Sequence, residues 1–181
     1  MSTNGHKKRG MTIYRAADAV DLIECGFMTM PTMSEETTAG FGEALASGLG
    51  AGGEVKVLAR QSEEEGGFSL VRLWFKPEYP LPRHSHDADC MYYVLSGTAV
   101  MGRQTLKAGD AFFIPDGAPY QYHAGPEGVE VLEIRHGVDR FDMKIPDASP
   151  EHWAAMKATA ESNRERWETG EVSPTMAANQ A

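Results

Sequence analysis

Two histidines separated by a single residue, His84 and His86, have the residue type and the spacing to do chemistry. They follow a proline-bounded loop and precede an apolar, aromatic run at residues 90–95 that is typical of a β-strand. Because residues i and i+2 of a strand point to the same face, the two imidazoles are expected side by side. Imidazole binds iron, nickel, copper and zinc, so the pair predicts the start of a metal site. The alternative is two solvent-exposed loop histidines, and the surrounding residues decide between these interpretations.

The residues around the pair resemble the first motif of the cupin superfamily. In that motif a glutamate follows His-x-His after three or four residues, and a glycine follows after six more. Here Cys90 and Gly97 stand at those spacings. A second segment is similar to the second cupin motif and comprises Gly109, Pro115, Gly117 and Tyr120. The resemblance spans roughly residues 54–143 and implies the RmlC-like jelly roll of a small, single-domain bacterial cupin.

By this resemblance, His84 and His86 would hold one divalent transition metal, with iron foremost and nickel, zinc, manganese and copper as alternatives. Cys90 occupies the family's glutamate position, where a thiolate would bind zinc, iron or copper, whereas a neutral thiol would only fill space. Tyr120 occupies a histidine position, where its phenol could ligate weakly, donate a hydrogen bond, act as a base or pack as a core aromatic. Cys90 and Tyr120 are therefore the candidate catalytic residues.

Further histidines could complete the metal site. His136 falls on the apolar parity of the expected strand at residues 129–136 and is the candidate third ligand. His123 has the opposite parity to Tyr120, so it is expected to face outward unless a bulge intervenes. Glu133 has the opposite parity to His136 and is expected to face solvent or to be paired.

Side chains on neighbouring strands suggest what the site would bind. Arg72 and Trp74 share one face of a predicted strand, and Tyr92 shares the face of Cys90. If these residues line the interior with Tyr122, the pocket is aromatic and contains one cation. That combination favours a small acidic or phenolic substrate.

Composition excludes several classes of protein. The chain has 181 residues and a net charge of −9, which argues against a nucleic-acid partner because phosphates require a basic surface. It contains no run of eighteen apolar residues, so no membrane span is predicted. Two cysteines make no disulfide framework, and with no recognisable signal peptide the sequence favours the cytoplasm.

Short runs of alternating polarity separated by turn residues predict an all-β fold, a double-stranded β-helix or jelly-roll barrel. We expect an N-terminal arm with short helical elements over residues 1–53, the cupin barrel over 54–145, and a C-terminal helix and tail over 146–181. Ser149 and Pro150 predict the start of that helix. An open jelly roll has edges that need cover, and residues 11–50 could supply it on a neighbour, which favours a homodimer.

Three functions are compatible with these features. The first is a metal-dependent small-molecule enzyme, either an oxidoreductase like the non-haem dioxygenases or a lyase or isomerase. The second is a non-catalytic cupin that binds a small ligand as a sensor or storage module, which the two replaced ligand positions favour. The third is a purely structural barrel in which His84 and His86 are ordinary polar residues.

Overall fold

An antiparallel sheet wraps around the core in the computed structural model, which describes residues 10–29, 33–137, 140–170 and 172–178. Its strands, in chain order, are β1 (Val20–Asp21), β2 (Gly53–Arg60), β3 (Ser69–Phe75), β5 (Cys90–Met101), β6 (Gln104–Lys107), β7 (Ala111–Ile114) and β8 (His123–Arg135). They pair in the order β1-β2-β3-β8-β5-β6, with β7 also on β5. A second, two-stranded sheet pairs β4 (Ser85–His86) with β9 (Met143–Lys144). This is the jelly-roll barrel that the alternating pattern predicts.

Three α-helices lie among the described residues: α1 (Glu35–Ala46), α2 (Pro150–Glu168) and α3 (Pro174–Ala178). Helix α2 begins as predicted, because the Ser149 hydroxyl accepts a hydrogen bond from the amide of His152 and Pro150 follows the cap. The helix buries one stripe of side chains: Trp153, Met156, Ala160 and Trp167. No helix in the described ranges is long and apolar enough to cross a lipid bilayer.

Helix α1 lies directly against α2 because Gly40 has no side chain. A Cβ atom at Gly40 would stand 2.4 Å from Cγ of Trp153. Phe41, the next residue, packs its ring 5.9 Å from that of Trp153. The glycine that weakens the helix propensity of α1 therefore permits its packing.

Strands β5 and β8 are each longer than the strands expected at residues 90–95 and 129–136. Strand β5 runs through Ser96 and Gly97, and β8 runs through Gly125 and Pro126. The reason is a β-bulge: the register between β5 and β8 shifts around Gly97, which has a φ of 68°. A Cβ atom there would stand 2.1 Å from the carbonyl oxygen of Gly128, so only glycine fits. The turn residues bend the strands instead of ending them.

The two faces of β3 have different neighbours. Leu73 and Phe75 point into the barrel and line its cavity. Arg72 and Trp74 alternate with them on the other face, where both are buried. Arg72 donates hydrogen bonds to Ser173 at 3.1 Å and to Glu54 at 2.9 Å, under the C-terminal segment. The expectation that Arg72 and Trp74 line the substrate pocket is therefore not met, because the opposite face of β3 is the interior one.

Glu78 is the one non-glycine residue of the described chain with a positive φ, at 62°. Its side chain is exposed. A side chain in the left-handed region crowds the backbone, and glycine avoids this penalty. We expect Glu78→Gly to raise the free energy of unfolding by about 0.5–1 kcal/mol in urea titrations. Glu127→Gly, at an exposed residue without a positive φ, is the matched control and should lower the free energy of unfolding. Equal effects of the two substitutions would show that the positive φ of Glu78 is not the cause.

Candidate metal centre in the barrel

The predicted histidine pair lies inside the barrel. His84 and His86 are only 4% and 3% exposed, and their ring centroids are 4.8 Å apart. His86 belongs to β4 and pairs with Met143 of β9, while His84 forms an isolated bridge with Tyr120. The short strand therefore places two imidazoles together in the interior, as the spacing predicts.

Main-chain carbonyls fix the protonation of both rings. Nδ1 of His84 lies 2.7 Å from the carbonyl oxygen of Pro82, and Nδ1 of His86 lies 2.8 Å from that of Asp142. A carbonyl oxygen only accepts hydrogen bonds, so each Nδ1 carries the proton and donates it. Both Nε2 atoms are thereby left unprotonated, which is the form that binds a metal.

The surroundings also keep both rings neutral. Burial, together with the neighbouring His86, lowers the pKa of His84 to about 4. Burial and the positive charge of Arg135 lower the pKa of His86 to about 3. A proton would therefore compete weakly with a metal at these nitrogens near neutral pH.

Tyr120 is in direct contact with the pair. Its hydroxyl lies 2.9 Å from Nε2 of His84 and 2.5 Å from the hydroxyl of Tyr92. Since Nε2 of His84 can only accept, Tyr120 donates to it and accepts from Tyr92. Burial, with the charge of Glu133, raises the pKa of Tyr120 well above its ordinary value. Tyr120 is therefore a neutral donor at the site, not a phenolate.

Cys90 is buried in the same interior but is not among the residues that line the cavity. Its thiol donates to the carbonyl oxygen of Ala88 at 3.2 Å. Burial and the charge of Glu133 raise the pKa of the thiol. These features favour a protonated packing residue over a thiolate ligand.

The remaining candidates divide between interior and surface. Tyr122 lines the cavity, and Tyr92 is buried and stacks on Phe112 at 4.5 Å. His136 is exposed just beyond the end of β8, so the structure does not bring it to the histidine pair. His123 is exposed, as its parity predicts.

Glu133 takes the interior position that parity suggested for His136. It is 1% exposed, lines the cavity, and has its Oε1 atom 4.0 Å from Nε2 of His86. Arg135, also 1% exposed, donates to the same oxygen from Nε at 2.7 Å. Sequence reasoning missed this pair because apolar Leu132 and Ile134 suggested the opposite face. The available signal was Glu-x-Arg, which places opposite charges on one face of a strand.

A cavity of about 350 Å³ opens beside these groups, within the range of small-molecule sites. Its wall is mostly apolar and aromatic and includes Leu73, Phe75, Tyr79, Leu81, Phe141 and Met143. Residues 21–23 and Met28 of the N-terminal segment cover one side. Asp142 ties this cover to the site, because its carboxylate accepts from the Thr29 hydroxyl at 2.5 Å while its carbonyl holds His86.

The two imidazoles and the nearby carboxylate are groups that bind a transition metal, although they are too far apart to coordinate one as they stand. No group of three or more His, Cys, Asp or Glu side chains is close enough to hold a metal ion in the described part of the chain. Two neutral imidazoles nevertheless have unprotonated Nε2 atoms in a buried site; that of His84 accepts from Tyr120, and that of His86 lies 4.0 Å from a carboxylate oxygen. A lone pair facing a carboxylate is an unfavourable contact that a cation between them would make favourable.

The pKa values predict how stability depends on pH. Both histidines have folded-state values below the ordinary 6.5, so the unfolded chain binds more protons below that pH. Their contribution to stability is complete above pH 6.5 and is lost as pH falls towards their folded-state values. In urea unfolding with a chelator present, each histidine should cost about 2 kcal/mol between pH 7 and pH 5.

The combined substitution of His84→Gln and His86→Gln should remove most of this dependence. His123→Gln with His136→Gln is the matched control, because both side chains are exposed, and should leave the dependence intact. An unchanged pH profile in the His84 and His86 variant would show that the buried imidazoles are not its source.

Comparison with known proteins agrees with this architecture. Residues 42–138, more than half of the chain, match the family described as the ChrR cupin-like domain. A search of curated proteins found no match. Among solved structures, the polyketide cyclase RemF from Streptomyces resistomycificus is 16% identical, with a TM-score of 0.53 over 84% of this chain and 97% of that one.

Two further solved structures cover a smaller part of the chain. KdgF from Halomonas sp. is 21% identical over 48% of this chain and 79% of its own, with a TM-score of 0.43. An RmlC-like cupin from Shewanella frigidimarina is 22% identical over 49% and 78%, also with a TM-score of 0.43. At these identities the likeness to RemF concerns the fold alone, and the family assignment rests on the family match. The chain belongs to the ChrR cupin-like domain family, within the cupin superfamily.

Proposed function

We propose that this protein is a metal-dependent enzyme that acts on a small, neutral, phenolic or enolic substrate, with an oxidation like that of the non-haem dioxygenases as its reaction. The observation that carries the proposal is the fixed tautomer and the position of the two histidines. Two buried imidazoles have their Nδ1 protons fixed by carbonyls of Pro82 and Asp142, and they sit on the wall of a ligand-sized cavity. A purely structural pair would have no need of an Nε2 atom, that of His86, left without a hydrogen bond from the described residues beside a cavity.

His84 and His86 would hold the metal through their Nε2 atoms. Iron remains the foremost candidate, and a metal of this kind supplies Lewis acidity towards bound oxygen atoms and, for iron, a route to reaction with O₂. Tyr120 would keep a protonated hydroxyl beside the reacting oxygen. The apolar wall would limit the number of waters at that position once a substrate fills the cavity.

The cavity favours a neutral substrate over an acidic one. Arg72 lies on the outer face of β3, so it offers no positive charge to a ligand. The interior cation, Arg135, is already paired with Glu133 at 2.6 Å. A carboxylate entering the cavity would meet the negative charge of Glu133 and would have to share Arg135 with it, with Nη1 as the donor left without a partner in the described part of the chain. Aromatic side chains such as Phe75, Tyr122 and Phe141 suit a planar, apolar ring.

A non-catalytic, ligand-binding cupin is the second candidate. It is favoured by one contact: the hydroxyl of Tyr120 already occupies Nε2 of His84 at 2.9 Å. If that hydrogen bond persists, only His86 offers a free imidazole nitrogen and the cavity would serve as a receptor. Lyase or isomerase chemistry with zinc or nickel is the alternative within the enzymatic proposal.

We expect close to one transition-metal ion per chain in untagged protein, and its loss after His84→Ala with His86→Ala. Plasma mass spectrometry measures the metal, and circular dichroism should show that the barrel still folds. His123→Ala with His136→Ala, two exposed histidines, is the matched control and should retain the metal. Metal retained at full occupancy in the His84 and His86 variant would place the site elsewhere.

The reaction is tested by oxygen uptake of the iron-loaded protein with simple phenols and with their benzoate counterparts. Uptake with phenols only, lost in the variant of His84 and His86, is the expected result. Ligand binding by the metal-loaded protein with no turnover of any phenol would instead favour the receptor candidate.

The proposal includes a homodimer, which is suggested by an apolar patch on the outer face of the sheet. Met91, Tyr93 and Phe113 are 43%, 43% and 51% exposed, and Met91 lies opposite Phe113 across β5 and β7. Met91→Lys with Phe113→Lys should convert a dimer into a monomer in multi-angle light scattering. Leu45→Lys, at an exposed leucine of α1, is the control and should leave the dimer intact. A monomeric wild-type protein would refute the proposed dimer.

A further inference from the structure

Two fully buried glutamates lie on β8, and they face opposite sides of the sheet. Glu130 stands opposite Trp74 on the outer side, where it accepts hydrogen bonds from Ser173 and Thr175. Glu133 stands opposite Val71 and Tyr92 on the inner side, where it lines the cavity. The outer glutamate has a clear packing role, because it anchors the C-terminal segment. The inner one is next to His86.

We propose that Glu133 is the third protein ligand of the metal held by His84 and His86, an inference that rests on the proposed metal-dependent function. Glu133 thereby supplies the carboxylate that Cys90 cannot supply from the motif position. The resulting set of two imidazoles and one carboxylate leaves coordination positions open for substrate and O₂, and such a set suits iron.

Distance is compatible with this assignment. Oε1 of Glu133 lies 4.0 Å from Nε2 of His86. Two ligand atoms that each lie about 2.1 Å from one metal are about 3.0–3.4 Å apart in octahedral or tetrahedral geometry. Glu133 would therefore need to move by about 0.5–1 Å, which its side-chain torsions allow without a change in the strand.

Arg135 is the positioning residue for this carboxylate. Its Nε and Nη2 atoms lie 2.7 Å and 2.6 Å from Oε1 of Glu133, and its guanidinium stacks 3.7 Å above the ring of Phe141. Both contacts of Arg135 go to Oε1, and a carboxylate has about four lone-pair directions, so the lone pairs of Oε2 remain for a cation once the carboxylate turns about its last torsion.

The other candidates for the third ligand are less well placed. His136 is exposed, and the thiol of Cys90 is outside the cavity wall and donates to Ala88. Tyr120 touches His84, but as a neutral hydrogen-bond donor. A buried Glu–Arg pair stabilises a fold little better than apolar residues of similar size, so stability alone does not account for Glu133 inside an apolar cavity.

The test measures Co²⁺ affinity of the metal-free protein by competition with a chromophoric chelator, together with the visible spectrum of bound Co²⁺. Glu133→Gln should weaken binding by more than about 100-fold, beyond the 10- to 100-fold typical of residues that only support a ligand. It should also change the visible spectrum, because one anionic oxygen ligand is lost.

Two further variants separate ligation from folding. Glu133→Gln leaves Arg135 buried without a partner, so the combined substitution with Arg135→Met removes both charges and tests the ligand in a neutral core. Glu130→Gln is the matched control: it is equally buried, on the same strand, and 3.6 Å from Arg72 on the other face. Its Co²⁺ affinity should stay within about threefold of the wild type, since no ligand is changed.

The outcomes distinguish this inference from the proposal on which it rests. Loss of Co²⁺ affinity in both Glu133 variants, with the control unaffected, supports the assignment. A double Glu133 and Arg135 variant that keeps its affinity and spectrum, while His84→Ala with His86→Ala abolishes binding, would overturn the ligand role and leave the metal function standing. If the wild-type protein binds no Co²⁺, both ideas fail.

Discussion

The candidate site depends on two hydrogen bonds from imidazole Nδ1 atoms to main-chain carbonyls. Pro82 and Asp142 supply these carbonyls from segments on either side of the histidine pair. Backbone acceptors cannot rotate away, so the two rings keep one tautomer and one orientation as long as the barrel is folded. The tautomer and orientation of the imidazoles are fixed in this way. The aromatic wall, the buried carboxylate and the tyrosine pair then surround rings that cannot change either property.

Buried charged side chains lie on both faces of the sheet, and they contact different parts of the protein. Outside, Arg72 and Glu130 secure the C-terminal segment through Ser173. Inside, Arg135 and Glu133 form a pair within an otherwise apolar barrel. Nη1 of Arg135 is buried without a hydrogen-bond partner among the described residues, so the interior offers this donor as well as the imidazole Nε2 acceptors.

Much of the fold followed from local patterns in the sequence, and the site followed only in part. Alternating polarity and the Ser149–Pro150 cap identified the barrel and α2, and the spacing of His84 and His86 placed both inside. Parity alone could not choose the inner face of β3 or β8, because both faces of these strands are buried. Arg72 was therefore assigned to the wrong side, and Glu133, expected to face solvent or to be paired, was not expected inside the barrel. Bulges such as that at Gly97 depend on close backbone contact, which single-residue preferences do not encode.

Asp142 joins two parts of the protein that have different tasks. Its carboxylate holds Thr29 of the covering segment, and its carbonyl holds the ring of His86. Any displacement of the cover that pulls on Asp142 is thus passed to an imidazole, with no other residue between them. The covering segment and the ring orientation of His86 are thus linked through a single residue.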